Sequence, residues 1–232
     1  MRVVVTRPLN RSEATATQLR GMGHEPILLP LSEARHLTDA AERALARPYP
    51  AIALTSAEAL RALAGFDLSS HLETPFFAVG RKTAAAAEHA GFKNIRIADG
   101  DGASLAELIV RHSPAHVIYL TGRPRSPTFE KALETAEIPH SIVECYEMMP
   151  LQPSSADIDT LLASPPGAIL FHSRETACLF FALPAIAENL SAWRSSAIAC
   201  LGARIADAIP SVLQDRVKIA ERPDEASLLA LL

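Results

Sequence analysis

The sequence predicts an α/β protein of parallel sheets covered by helices. Three observations carry that expectation. Short β-branched runs alternate with Ala- and Leu-rich amphipathic stretches. The alternation repeats itself along the chain. The 232 residues, 49% hydrophobic and 21% charged, exclude disorder and suggest one large or two small domains.

Taken in order, the strands follow from their apolar runs. Val3-Val4-Val5 marks the first, Arg2 to Thr6, and Ile27 lies in the second, Glu25 to Leu29. Ala51 to Thr55, Pro75 to Val79 and Asn94 to Ala98 follow, and then His116 to Thr121 and His140 to Cys145. The last three are Ala168 to His172, Ala197 to Leu201 and Val217 to Ala220. Helices fill most of the gaps between them.

Self-comparison finds two kinds of unit, each present twice. The short unit is a strand-helix-strand: Val5-Thr6-Arg7-Pro8, then Arg11-Ser12, a helix and a strand at Ile27. It recurs as Leu120-Thr121-Gly122-Arg123-Pro124, then Arg125-Ser126, a helix and a strand at Ile142. In the long unit, Leu54-Thr55-Ser56-Ala57-Glu58 matches Phe171-His172-Ser173-Arg174-Glu175, and Val79-Gly80 matches Leu201-Gly202. The helix starts Ala103-Ser104-Leu105 and Ala226-Ser227-Leu228 extend the match. One short unit's two strands and one long unit's three make a five-stranded parallel sheet, and two such domains fit the length. Which short unit joins which long unit stays open at this level. If the chain crosses over and returns, the polar, Pro- and Ser-rich stretches 31–50 and 144–155 are the crossing segments.

Charge and cysteine content narrow the function. The 22 basic and 26 acidic residues leave a net charge of -4, so the overall field repels a nucleic acid backbone and any anionic partner needs local charge. Cys145, Cys178 and Cys200 lie far apart in apolar sequence, which predicts reduced core thiols and a cytoplasmic location. The start Met1-Arg2-Val3-Val4-Val5 reads as a strand and not as a signal core. The longest apolar run, Cys178 to Ala187, is broken by Pro184 and falls short of the roughly 18 to 20 residues of a membrane span.

Nucleotide fingerprints are absent: Gly21-Met22-Gly23 follows a helix instead of opening one, and no Gly-rich run ends in Gly-Lys-Ser or Gly-Lys-Thr. There is no Gly-x-Ser-x-Gly elbow, and Pro114 separates His112 from His116, so neither a nucleophilic serine nor a metal site is expected. Small polar residues and arginines gather instead at strand-to-helix turns. These are Thr6-Arg7, Thr55-Ser56, Gly80-Arg81-Lys82-Thr83, Thr121-Gly122-Arg123, Ser173-Arg174 and Gly202-Ala203-Arg204. In an open parallel sheet such turns meet at the carboxyl ends of the strands, where helix N-H groups and arginine forks suit carboxylates or phosphates. Any single Ser or Thr there is also accounted for as a helix N-cap. Tyr146, at the end of a strand, is a cleft candidate, although a Tyr beside Met148 and Met149 also reads as packing.

These residues resemble the uroporphyrinogen-III synthases of tetrapyrrole biosynthesis over the full length. The resemblance rests on Val5-Thr6-Arg7-Pro8, Leu54-Thr55-Ser56-Ala57, Val79-Gly80-Arg81-Lys82-Thr83-Ala84 and Gly122 with its arginines. The Tyr146 segment, Phe171-His172-Ser173 and Leu201-Gly202-Ala203-Arg204 complete it. It implies two flavodoxin-like domains, one of residues 1–31 plus 151–232 and one of residues 36–142, with linkers at about 32–35 and 143–150. It implies a lyase that cyclises hydroxymethylbilane with inversion of the last ring, without a cofactor or metal, through an azafulvene cation and a spirocyclic intermediate. Tyr146 is then the candidate for assisting departure of the hydroxyl, and Arg7, Thr55, Ser56, Gly80, Thr83, Gly122, Arg123, Ser173 and Gly202 the substrate-binding set. The expected partners are a linear tetrapyrrole polycarboxylate and the enzyme that forms it, with no nucleic acid and no membrane, and the expected state is a monomer. Two positions depart from the family: Glu58 stands where Asn is usual, and Ile205 where the second Gly-x-x-Thr has its Thr. The rival reading is a hinged two-domain binding protein that closes on an acidic ligand without chemistry.

Overall fold

The computed structural model describes every residue from Met1 to Leu232. The chain begins with β1 (Arg2–Val5), α1 (Leu9–Gly21), β2 (Glu25–Leu28), β3 (Ser32–His36), α2 (Thr38–Leu45), β4 (Ile52–Leu54), α3 (Ala57–Ala62), β5 (Phe76–Val79) and α4 (Gly80–His89). It continues with β6 (Ile95–Ala98), α5 (Gly102–His112), β7 (Val117–Arg123), α6 (Thr128–Thr135), β8 (His140–Pro150), α7 (Ser155–Ala163), β9 (Ala168–Phe171) and α8 (Arg174–Ala182). The last elements are α9 (Pro184–Ala187), β10 (Ala197–Cys200), α10 (Ala203–Ala206), β11 (Val217–Ile219) and α11 (Glu225–Leu229).

These elements form two units. Unit 1 comprises Met1–Glu33 and Met149–Leu232, and unit 2 comprises Ala34–Met148. Sheet 1 runs in the order β11-β10-β9-β1-β2, with its strands paired in parallel. Sheet 2 runs β3-β8-β7-β4-β5-β6, with β4 to β8 parallel. Strands covered on both faces read as unbroken apolar runs, and Val3-Val4-Val5, Ile52-Ala53-Leu54 and Ala168-Ile169-Leu170-Phe171 are all fully buried.

In sheet 1 successive residues of β1 serve opposite faces. Val4 packs with Ile169, Phe171, Phe180 and Trp193, and Val3 and Val5 pack with Leu19, Leu170 and Leu228. In sheet 2, Ile52, Leu54, Phe76, Ile118 and Leu120 face one cluster, while Ala53, Phe77, Tyr119 and Phe129 face the other. The alternation of a strand supplies both cores at once.

Three expectations need correction. Sheet 2 has six strands rather than five, because Ser32–His36 forms β3 at its edge beside β8. Its sequence Ser-Glu-Ala-Arg-His lacks an apolar run, since an edge strand bonds along one side only and tolerates polar side chains. β8 does not end at Cys145 but runs on to Pro150, and Leu37 N donates to Cys145 O at 2.7 Å. Finally, Cys145 and Cys200 are buried, with their thiols pushed up to about 12 by burial, but Cys178 on α8 is exposed. No helix is long and apolar enough to cross a membrane.

Candidate active site at the strand carboxyl ends

In sheet 1 the chain winds outward from β1 to β2 on one side and from β9 through β10 to β11 on the other, so the direction reverses between β1 and β9. In sheet 2 it winds from β7 to β8 on one side and from β4 through β5 to β6 on the other, reversing between β7 and β4. At such a reversal the loops leaving the carboxyl ends part in opposite directions, which leaves a crevice suited to a ligand. Thr6-Arg7 and His172-Ser173 flank the first reversal, and Thr121-Gly122 and Thr55-Ser56 flank the second.

At the reversal of sheet 1 the Thr6 hydroxyl donates to Leu170 O at 2.9 Å, tying the ends of β1 and β9 together. Arg7 is turned inward: it donates to Glu225 Oε2 at 2.8 Å and to Thr15 Oγ1 at 3.1 Å. Its side chain is only 13% exposed. Glu225, in the first turn of α11, also accepts from Thr15 at 2.5 Å and lies 3.2 Å from His172 Nε2. Burial alone would push the Glu225 carboxyl up. The hydrogen bonds from His172 and Thr15 and the charges of His172 and Arg7 outweigh burial and hold it at about 2, well below its usual range. Burial lowers Arg7 in turn, with Glu225 countering it.

Ser173 caps α8, accepting from Thr176 N at 3.2 Å. Gly202 precedes α10, which has no side-chain cap, and open space surrounds the position a Cβ would take. Ile205 is buried in an apolar cluster with Phe171 and Phe180, which gives a physical reason for the missing hydroxyl.

At the reversal of sheet 2, Thr55 and Tyr119 share a hydroxyl-to-hydroxyl hydrogen bond at 2.8 Å. Ser56 caps α3 by accepting from Glu58 N at 3.2 Å. The Glu58 carboxylate is buried and held by Arg61 at 2.5 Å and His36 at 3.1 Å. Gly80 opens α4 with φ +71°, a left-handed conformation that favours glycine, and that helix also lacks a side-chain cap. Thr83 lies in the first turn of α4, buried to 5% exposure.

Between β7 and β8 the register slips by one residue: Thr121 faces Glu144, but Gly122 faces Tyr146. Cys145 is the extra residue. The slip lets Cys145 and Tyr146, neighbours in sequence, pack against the same apolar cluster. It also brings Glu147 to the opposite face, the one Glu144 already occupies, and there Glu144 and Glu147 meet Arg123 at 3.3 Å and 3.1 Å. Arg125 joins Glu130 at 2.5 Å and Glu144 at 2.6 Å, and Arg35 joins Glu147. Arg123 is therefore raised by its bond to Glu147, and Glu147 is lowered by its bonds to Arg35 and Arg123.

Gly122 and Tyr146 thus face each other across β7 and β8, and the other expected site residues fall into three groups. Arg7 and Arg123, read from sequence as substrate anchors, already hold protein carboxylates. Thr55, Ser56 and Ser173 line the two reversals and carry local bonds of their own. Gly80, Thr83 and Gly202 belong to the starts of uncapped helices, and Arg81 and Arg204 beside the same turns are exposed, as is Arg174 after Ser173. Glu225 and His172 were not singled out as a cluster, because 53 residues separate them and no local spacing joins them. The repeat did offer a sign, since it extends to Ala226-Ser227-Leu228, directly after Glu225.

Residues 13–230 match the family model described as uroporphyrinogen-III synthase HemD. No curated protein matches the chain. Among solved structures, a uroporphyrinogen-III synthetase from Helicobacter pylori is similar, with TM-score 0.64 and 17% identity over 99% of this chain and 96% of that one. A triple variant of uroporphyrinogen III synthase from the extremely thermophilic bacterium Thermus thermophilus gives TM-score 0.59 and 20% identity over 100% of this chain and 97% of that one. At these identities the likeness is one of fold.

The Glu225 cluster carries a pH dependence. A carboxyl whose folded value is depressed stabilises the fold fully above its unfolded value, near 4.5, and loses that contribution as pH falls through about 2. Glu225→Gln should therefore lower stability by about 1–3 kcal/mol at neutral pH and should lose part of the wild-type acid destabilisation below about pH 4.5. Urea unfolding at several pH values measures both, and equal losses at pH 7 and pH 2 would contradict the assignment.

Proposed function

The chain belongs to the uroporphyrinogen-III synthase family, and from that premise we propose that its turn residues hold the substrate while Tyr146 assists the chemistry. The activity is that of a lyase in tetrapyrrole biosynthesis: hydroxymethylbilane is cyclised with inversion of its terminal ring, giving uroporphyrinogen III and water. The family match over residues 13–230 is the observation that carries this activity. We read each sheet, β3 aside, as flavodoxin-like. The order of sheet 1, which counts 2-1-3-4-5 within its own unit, supports that reading.

The reaction breaks the C–O bond of the hydroxymethyl group, and the departing oxygen takes a proton to leave as water. A phenol, protonated at neutral pH, can donate that hydrogen bond, which is the role proposed for Tyr146. The resulting cation is attacked within the chain to form a spirocyclic intermediate. Ring closure after the rearrangement releases a ring-carbon proton, which balances the one that left with the water.

The substrate's acetate and propionate groups need donors, and the chain supplies two kinds. The uncapped first turns of α4 and α10 present backbone N-H groups. Arg81, Arg174 and Arg204 are exposed beside strand ends and hold no protein carboxylate, unlike Arg7 and Arg123. We therefore assign the charged anchors to these three, with Thr55, Ser56, Thr83 and Ser173 as hydroxyl donors. We also read the two chain passages near residues 33 and 149 as the links between two domains.

Three outcomes test this reading. Given hydroxymethylbilane, the protein should form isomer III in excess over the spontaneous isomer I, and Tyr146→Phe should lower kcat about tenfold or somewhat less and raise the share of isomer I. Formation of isomer I alone, with the ligand bound, would favour the non-catalytic binding protein. Arg174→Ala and Arg204→Ala should each raise KM several-fold, about 1 kcal/mol, and add salt sensitivity. Arg7→Ala should act chiefly on the melting temperature, and the reverse ranking in steady-state assays would move the anchors back to Arg7. Thr83→Val should slow turnover whereas Ile205→Thr should leave it nearly intact, at a stability cost of about 1–3 kcal/mol for a buried hydroxyl. Turnover and thermal melts of the two variants, compared side by side, decide the asymmetry.

A further inference from the structure

Gly122 sits on β7 directly opposite Tyr146 on β8, on the face of sheet 2 where Leu120, Val143 and Cys145 also pack. A Cβ built on Gly122 would lie 2.2 Å from Tyr146 Cζ, 2.3 Å from Cε2 and 2.6 Å from Cε1. The hydroxyl-bearing end of the ring therefore lies on the bare backbone of Gly122, in space that any other residue would fill. The atoms at risk are the far end of a side chain, so a methyl group at 122 would swing the ring aside and spare the backbone. The one-residue slip at Cys145 is the second half of the arrangement. Without it, residue 146 would point to the opposite face, where Glu144 and Glu147 meet Arg123.

We infer that Gly122 is the positioning residue for Tyr146: its missing side chain is the seat for the phenol ring, and the extra residue at Cys145 turns the ring onto that seat. Gly122 then need not touch substrate, contrary to its expected place in the substrate-binding set. The inference rests on the reading that Tyr146 assists departure of the substrate hydroxyl, and it explains why a ring with two rotatable bonds keeps one direction at the end of the sheet. It also separates two uses of β8, since the slip puts the phenol on one face and the arginine-carboxylate network on the other.

The test uses the full-length protein labelled with ζ-carbon-13 tyrosine, whose three tyrosine signals are Tyr49, Tyr119 and Tyr146. Gly122→Ala should move the Tyr146 signal and leave the other two in place. It should lower kcat by the same several-fold factor as Tyr146→Phe, keep KM within about twofold, and raise the share of isomer I. The double variant Gly122→Ala/Tyr146→Phe should lose no more kcat than either single one, because no phenol is left to misplace. Independent losses that multiply in the double variant would overturn the positioning role and return Gly122 to substrate contact. An unmoved Tyr146 signal with wild-type kcat in Gly122→Ala would overturn the seat itself. If Tyr146→Phe alone retains wild-type kcat, the chemical reading of Tyr146 fails, while a moved signal in Gly122→Ala still upholds the seat. Should Gly122→Ala not fold, the wild type answers alone: ring currents should shift the Gly122 α-protons upfield, and Tyr146→Leu should abolish that shift. Unshifted α-protons in the wild type would reject the contact.

Discussion

Unit 1 depends on the pairing of β1 with β9. β1 is an interior strand of sheet 1, flanked by β2 at the edge and by the central strand β9, and the Thr6 hydroxyl bonds to Leu170 O across 164 residues of chain. Until β9 arrives, β1 and β2 make a two-stranded fragment that cannot bury either face of Val3-Val4-Val5, and so short a fragment is not stable alone. The same pairing brings Arg7 and His172 to a common edge, where Glu225 from α11 joins them. The buried core and the charged cluster at its rim thus have one cause. Sheet 2 closes in the same way through β4 and β7, which aligns Ala53 with Tyr119 and sets the Thr55 hydroxyl against the Tyr119 phenol.

A protein of net charge -4 that takes a polycarboxylate must decide which of its cations stay available. At each reversal a buried or half-buried glutamate holds an arginine and a histidine: Glu225 holds Arg7 and His172, and Glu58 holds Arg61 and His36. These carboxylates are neutralised at short range, so they repel an approaching anion less than bare charges would. Arg7 on Glu225 and Arg61 on Glu58 are correspondingly engaged within the protein, as Arg123 is on Glu144 and Glu147. On the proposed reading, affinity comes instead from backbone N-H groups at uncapped helix starts and from arginines with no carboxylate of their own, donors that are already oriented before substrate arrives.

The departures from the family pattern become intelligible through burial. Ile205 projects into the cluster of Phe171, Phe180 and Trp193, where an unmet hydroxyl is costly and an aliphatic chain adds apolar burial. Its repeat partner Thr83 is buried to a similar extent, 5% against 8%, yet keeps its hydroxyl at the start of α4. Glu58 carries a carboxyl where the family has an amide, and Arg61 one turn along α3 supplies a compensating cation while His36 on edge strand β3 adds a hydrogen-bond partner. The substitution thus comes with an arginine of matching charge.

The order of elements, the duplication and the family were legible in the sequence because they rest on local signals. Apolar runs such as Val3-Val4-Val5 state a strand buried on both faces, and Thr-Ser or Gly-Arg after such a run states a turn at its carboxyl end. Edge strand β3 was not legible, since Ser-Glu-Ala-Arg-His has no apolar pattern and becomes a strand only against β8. The partners of Arg7, Arg123 and Glu58 were equally hidden: an arginine beside a turn has the same local sequence whether it faces solvent or a carboxylate brought from far along the chain. The slip at Cys145 went unseen for the same reason, because nothing within Val143-Glu144-Cys145-Tyr146 states how many residues of β8 will face one residue of β7. By itself the sequence determined the strands, the repeat and the set of turns, all encoded within a few residues. Only the tertiary structure decided the strand pairing, the ion partners and the face on which Tyr146 stands, because each depends on contacts between segments that local sequence cannot count.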